Sequence, residues 1–133
     1  MSANPETVAE ITAYEQLGGE AGIRKLVKFF YDDMESSPDV AELRRLHAAD
    51  LSYMRETLFE FLSGWLGGPR TYFERENAKC MMSAHANVPI SQVESDQWML
   101  CMRRALGKMD LDEQTRTLFE QGFTQVCNSM INR

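Results

Sequence analysis

The apolar residues of this 133-residue chain recur at helical spacing, and no stretch alternates in the manner of a half-buried strand. Between positions 20 and 35, Ile23, Leu26, Val27, Phe30, Tyr31 and Met34 repeat in three- and four-residue steps, which is one face of a helix. The Gly18-Gly19 pair makes a corner before it, and a shorter helix is predicted ahead of the corner, from Glu6 to about Gln16. Ser37-Pro38 is a start signal, a cap followed by a residue whose fixed φ suits the first helical position; the piece it opens is expected to reach about Leu46. Asp50 is placed to cap the next helix, with Leu51, Met54, Leu58, Phe61, Leu62 and Trp65 on one side. Gly67-Gly68-Pro69 ends it, because glycine permits a left-handed turn and proline blocks continuation.

Residues 69–83 are polar and mixed without a clear period, which predicts a loop holding at most a fragment of helix. A loop of that length inside a small domain is often functional. Ser91-Gln-Val-Glu94 reads as a capping box, and the helix behind it carries Trp98, Cys101, Met102, Ala105, Leu106 and Met109 on one face. Asp110-Leu-Asp-Glu113 offers another start. The last helix carries Leu118, Phe119, Phe123, Val126, Cys127, Met130 and Ile131. The sum is an all-α chain, with an N-terminal extension over 1–12 and one domain over 13–133.

Charge narrows the partners. Fourteen basic against twenty acidic residues leave a net charge of −6, which argues against nucleic acid or an anionic membrane surface. No apolar run approaches the length of a membrane span, and the first residues lack the blocks of a signal peptide, so a cytoplasmic protein is expected. Cys80, Cys101 and Cys127 are odd in number and widely spaced, which suits neither a disulfide framework nor a cysteine zinc site. Cys101 and Cys127 fall on apolar helical faces and are expected to be buried, with Cys80 more exposed. Nine methionines are expected in a pliable core.

The same counts bear on metals. A protein-only zinc site needs three or four ligands, and two histidines with three scattered cysteines supply no recognisable set. Haem needs only one axial group from the protein, because the porphyrin provides four nitrogens. His85 stands in Ser83-Ala-His-Ala-Asn-Val-Pro-Ile90, before a helix start and after the long loop, in a context that suits an axial ligand. Taken singly, His85, His47, Tyr31 and Trp98 each have an ordinary structural explanation; their joint order is what points to a cofactor.

With Tyr14-Glu-Gln-Leu-Gly-Gly19, Phe30-Tyr31, Arg44-Arg-Leu-His47, Phe61-Leu62, Gly67-Gly-Pro-Arg-Thr-Tyr72, His85, Ile90, Asp96-Gln-Trp98 and Cys101-Met102, the chain resembles the group II truncated haemoglobins over roughly residues 13 to 130. The resemblance implies a globin-like two-over-two helical sandwich around haem b (iron protoporphyrin IX). It makes His85 the proximal iron ligand and Tyr31, His47 and Trp98 the distal polar residues, with Leu58 and Leu62 walling the ligand side and Phe61 and Trp65 nearby. Position 47 varies in the group among tyrosine, phenylalanine and histidine. The family often carries an arginine just before the proximal histidine, where this chain has Ala84, and an aromatic residue three places after it, where this chain has Val88. Arg70 and Tyr72 are then the best propionate partners, with Lys79 a weaker one.

The implied partners are O2 and other diatomic ligands such as NO and CO, or peroxide, for a monomer or weak homo-oligomer. The helix of Leu58 and Leu62 offers no distal histidine, so Tyr31, Trp98 and His47 are the available donors. A hydrogen bond to a ligand carrying charge contributes about 1.5–3 kcal/mol. Two of them slow release by roughly a hundredfold or much more, which favours chemistry or sensing over transport. Redox work is the competing use of the same haem: oxidation of NO to nitrate, or peroxide chemistry. It requires an external reductase, since the chain carries no flavin motif. His47 or Tyr31 on the sixth iron position would make an internal ligand that competes with external ones. A haem-free helical interaction module is the reading from a different class.

Overall fold

The computed structural model describes residues 11–76 and 78–133, and for Met81 and Met82 the backbone alone. Its elements in order are α1 (Ala13–Gln16), α2 (Gly19–Ser36), a 3-10 turn (Pro38–Val40), α3 (Ala41–Arg45), α4 (Ser52–Trp65), α5 (Met81–Ala84), α6 (Gln92–Gly107) and α7 (Glu113–Met130), with no strand among the described residues. The part of the predicted first helix that precedes Ile11 lies outside them.

Local signals explain most of the helix starts. Thr12 accepts from the Glu15 amide while Glu15 accepts from the Thr12 amide, a capping box at α1 that the sequence reading passed over. Ser91 and Glu94 make the same arrangement at α6, and Asp112 caps α7 through the Thr115 amide. At α4 the expected cap is shifted by one residue. Leu51 occupies the cap position, and the Asp50 carboxylate reaches past it to accept from the Ser52 amide. Ser37-Pro38 opens the 3-10 turn rather than the α-helix itself; α3 follows from Ala41.

The helices form two layered pairs. α2 packs against α4 and against α6, and α6 packs against α7. All six residues of the predicted stripe on α2 are buried. They meet Leu62 of α4, Met99, Cys101, Met102, Ala105 and Leu106 of α6, and Phe123 and Cys127 of α7 in one cluster. Of the apolar residues on α7, Leu118 is 62% exposed, whereas its neighbour Phe119 packs on the cluster. Cys80 is exposed and the other two cysteines are buried, as expected. Burial, with Asp33 beside it, pushes the Cys101 thiol up to about 12, so it stays protonated as a small apolar residue.

The two glycine corners close the fold at one end. A Cβ on Gly22 would lie 1.7 Å from the Leu17 carbonyl oxygen, so the turn from α1 into α2 has room for a hydrogen only. Gly67 turns the chain after α4 with φ of 99°, in the left-handed region glycine favours. The Tyr14 amide then donates to the Leu66 carbonyl at 2.9 Å, tying the start of the described chain to the end of α4.

Polar ties hold the remaining edges. Gln97 of α6 accepts from the Leu43 amide and donates to Glu42, fixing α3 on α6. Arg104 bridges Asp33 at 3.1 Å and Asp39 at 2.7 Å, joining α6 to α2 and to the 3-10 turn. Arg75 pairs with the largely buried Glu60 of α4, which anchors the loop after it. No helix of the described residues is long and apolar enough to cross a membrane.

Candidate functional site

Phe30 organises the site because it sits where α2 meets α6. Its side chain has no exposure, and its ring centroid lies 4.9 Å from that of Tyr31 and 4.9 Å from that of Trp98. The edge-on contact at 86° with Tyr31 suits the ring quadrupoles. Tyr31 and Trp98, sixty-odd positions apart in the chain, are thus both packed on one phenyl ring.

Both carry a polar handle that no described residue takes up. The Tyr31 ring is buried and Trp98 is half-buried, and neither the hydroxyl nor the indole N–H has a hydrogen-bond partner among the described residues. Neither donor atom is sealed from the surface, since the buried polar side-chain atom left without a hydrogen-bond partner among those residues is Glu60 Oε1, which instead pairs with Arg75, so both remain open to a ligand. Burial pushes the Tyr31 phenol well above its ordinary range, against the opposing charge of Arg55, so it stays protonated and able to donate.

His47 follows α3 and its ring lies edge-on to Tyr31, 6.2 Å between centroids. Its position is built from the backbone outward. Arg44 donates to the carbonyls of Ala48 and Ala49, both at 2.9 Å, and His47 Nδ1 lies 3.0 Å from the Leu43 carbonyl. A carbonyl only accepts, so Nδ1 carries the proton and neutral His47 presents a lone pair at Nε2. Burial holds His47 below its ordinary pKa, opposed by the Leu43 hydrogen bond, with Arg44 and then His85 adding smaller depressions.

His85 is half-buried, in the turn after α5. The expected loop with a helix fragment is what the structure contains: turns over 71–76 and four helical residues at α5. Beyond His85, the Val88 amide closes a turn onto the His85 carbonyl at 3.0 Å, and Ile90 is buried ahead of α6.

An aromatic wall stands on the α4 and α7 side. Phe61 meets Trp65, Tyr72 and Phe73 at 6.3, 5.4 and 5.3 Å, and Phe123 lies 5.5 Å from Trp65 and 5.9 Å from Trp98. Trp65 nevertheless remains 39% exposed, so this wall presents apolar surface outward. Leu58 is half-buried beside it, whereas Leu62 is 2% exposed and enclosed by the central cluster. Of the proposed propionate partners, Arg70 is exposed with its guanidinium 4.9 Å from the Phe73 ring, and Lys79 is exposed. The Tyr72 hydroxyl donates to the Lys79 carbonyl at 3.0 Å, so it anchors its own loop. Phe73 and Phe123 belong to this wall and were not singled out beforehand; Phe123 was legible only as one more member of the α7 stripe.

Among the described residues no cluster of three or more His, Cys, Asp or Glu can hold a metal ion by itself. The arrangement instead suits a flat apolar cofactor that brings most of its own ligands. The aromatic wall would take its face, one histidine its metal, and the two free donors a polar group beside it. A separate surface hollow between α6 and α7, lined by Arg103, Leu118, Gln121 and Gln125 among others, is open to solvent and shares none of these residues.

Known proteins share this fold. The sequence matches the bacterial-like globin family over residues 12–132. Solved structures similar to it include the group II 2-on-2 hemoglobin of the plant pathogen Agrobacterium tumefaciens, 32% identical, covering 95% of this chain and 98% of that one, with a TM-score of 0.88. The hemoglobin of the thermophilic phototroph Chloroflexus aurantiacus is 40% identical, covering 93% and 100%, at 0.83. The truncated oxygen-avid haemoglobin of Bacillus subtilis is 28% identical, covering 92% and 100%, at 0.81. With its two layered helix pairs and a sequence match that spans nearly the whole described chain, this protein belongs to the bacterial-like globins and, within them, to the group II truncated haemoglobins of two-over-two fold.

Proposed function

We propose that this globin binds haem b through His85 and takes dioxygen, or a related diatomic ligand, on the side of Tyr31 and Trp98. When bound, haem supplies an iron whose fifth position the imidazole fills and whose sixth is left for a ligand. One observation carries the reading: two side chains packed on Phe30, Tyr31 and Trp98, hold a hydroxyl and an indole N–H that no described residue takes up. The oxygen-avid description of the Bacillus subtilis neighbour accords with it.

Tyr31, Trp98 and His47 divide the labour. Tyr31 and Trp98 donate. His47, with its proton held on Nδ1 by Leu43, offers a lone pair at Nε2. It accepts from a neighbouring O–H or serves as an internal sixth ligand, and it donates from Nε2 only when protonated, which its burial opposes. Arg70, exposed beside the Phe73 ring, is the cation suited to a propionate.

The test is a haem titration of the purified chain and of His85→Gly, followed by ferric and ferrous absorption spectra and by oxygen dissociation from Tyr31→Phe and Trp98→Phe. Stoichiometric uptake that loses its proximal signature in His85→Gly supports the reading. Uptake indifferent to His85, or oxygen dissociation unchanged in both distal variants, overturns it; no uptake at all favours the haem-free interaction module.

A further inference from the structure

Asn132 occupies a position that no ligand-side argument requires. It follows α7 and folds back onto the segment between His85 and α6. Its Oδ1 accepts from the Ile90 amide at 2.9 Å, and its Nδ2 donates to the Val88 carbonyl at 2.8 Å, with a longer contact of 3.5 Å to the His85 carbonyl. The backbone adds two ties, since the amides of Asn132 and Arg133 both donate to the Ile90 carbonyl, at 2.9 and 3.2 Å.

Among the described residues, the backbone ties within the segment are short turns, such as the Val88 amide on the His85 carbonyl. α5 is a four-residue helix, too short to hold a geometry alone. Pro89 has no N–H, so between Val88 and the start of α6 the Ile90 amide is the next backbone donor, and Asn132 takes it. A single carboxamide therefore uses its acceptor on one side of Pro89 and its donor on the other. It closes a bracket around the residues that set where His85 stands. Among the described residues α5 packs on α7, so the stretch that continues from α7 is the natural brace for it.

We propose that Asn132 is a positioning residue for the proximal histidine: through the carbonyls of Val88 and His85 and the amide of Ile90 it sets the height and tilt at which His85 reaches the cofactor. This rests on His85 being the proximal ligand. Asn132→Ala removes the bracket and leaves Tyr31, Trp98 and His47 untouched. Haem loss is expected to quicken about three- to tenfold, the loss of one or two neutral hydrogen bonds. The iron–histidine stretching band of the ferrous form, read by resonance Raman, is expected to shift or broaden, while the oxygen dissociation rate changes far less. Asn132→Asp keeps an acceptor for the Ile90 amide but, ionised, cannot donate to Val88, and so is expected to move the same band in the same direction.

An unmoved iron–histidine band in both variants overturns the proposal, even if melting temperatures fall, because a merely structural tie would lower stability alone. A haem-free readout separates this from failure of the haem reading. Amide exchange at Ile90 should accelerate in Asn132→Ala whether or not haem is present. Accelerated exchange in Asn132→Ala, when the wild-type chain takes up no haem, would mean that the haem reading has failed, and with it the positioning role, leaving Asn132 a loop brace.

Discussion

The distal and proximal sides of the site are made in different ways. Tyr31 and Trp98 belong to α2 and α6, the two helices that dominate the core, and the ring they share, Phe30, is wholly buried. His85 stands beside a four-residue helix, held by turns and by Asn132. Donors rooted in close packing keep their direction because moving them means repacking the core. A ligand residue on a braced loop can be adjusted by its brace, because few buried contacts resist. With Tyr31 and Trp98 as the proposed distal donors and His85 as the proposed proximal ligand, the stability of the fold and the distal geometry would be coupled, whereas the proximal geometry would be tuned separately.

The strongest way to break this comparison is Phe30→Ala. Truncating a fully buried phenylalanine costs about 3–5 kcal/mol of stability, and here it should also release Tyr31 and Trp98 together. Thermal melting and oxygen dissociation are expected to change in the same variant; a large loss of stability with unaltered dissociation would uncouple core from distal wall.

Tyr31→Phe sharpens it by keeping the packing and removing only the donor. Because the hydroxyl has no partner among the described residues, stability should change little. Oxygen dissociation should quicken about tenfold or more, the loss of a hydrogen bond worth about 1.5–3 kcal/mol to a charged acceptor. Trp98→Phe is expected to act in the same direction, and stopped-flow measurement of both decides which donor dominates.

A smaller effect is expected from Arg44→Ala. It removes the donors that hold the Ala48 and Ala49 carbonyls and costs about 1 kcal/mol. Its use lies in His47: if the loop sets that imidazole, the ferric spectrum should shift in Arg44→Ala and stay constant in a distant surface variant such as Lys25→Ala.

The smallest concerns acid. Burial holds folded His47 below the ordinary 6.5, so between that value and the folded one the unfolded chain binds more protons. Stability therefore rises with pH there: this contribution is fully present above about 6.5 and is lost as acidification passes through the folded value. His47→Gln should lose less melting temperature than wild type between neutral pH and mildly acidic pH. An identical acid slope in both would show that His47 does not titrate differently in the folded chain.

How far the site could be read beforehand follows the same division. Tyr31 and Trp98 were legible because each lies on or at the edge of an apolar stripe where a polar tip has to be explained. The apolar residues of α7 were legible too, but that Leu118 among them stays exposed was not, since periodicity shows an apolar face without showing how much of it the neighbour covers. Leu58 and Leu62 looked equivalent, one helical turn apart; only packing encloses Leu62 and leaves Leu58 half-open. Tyr72 looked like a free donor until the loop folded and put the Lys79 carbonyl against its hydroxyl.

Local order, then, came from the chain itself. Caps at Ser91 and Asp112, the break at Gly67 and the stripe of α2 rest on contacts within a few residues, and their energetics need no partner from elsewhere. The tertiary structure decided what depends on meeting. It paired Phe30 with Trp98, set the proton of His47 on Nδ1 through the way α3 ends, and brought Asn132 back across Pro89 to the proximal turn. Directional contacts at about 3 Å have no periodic trace in a sequence, because either partner alone looks like an ordinary polar residue.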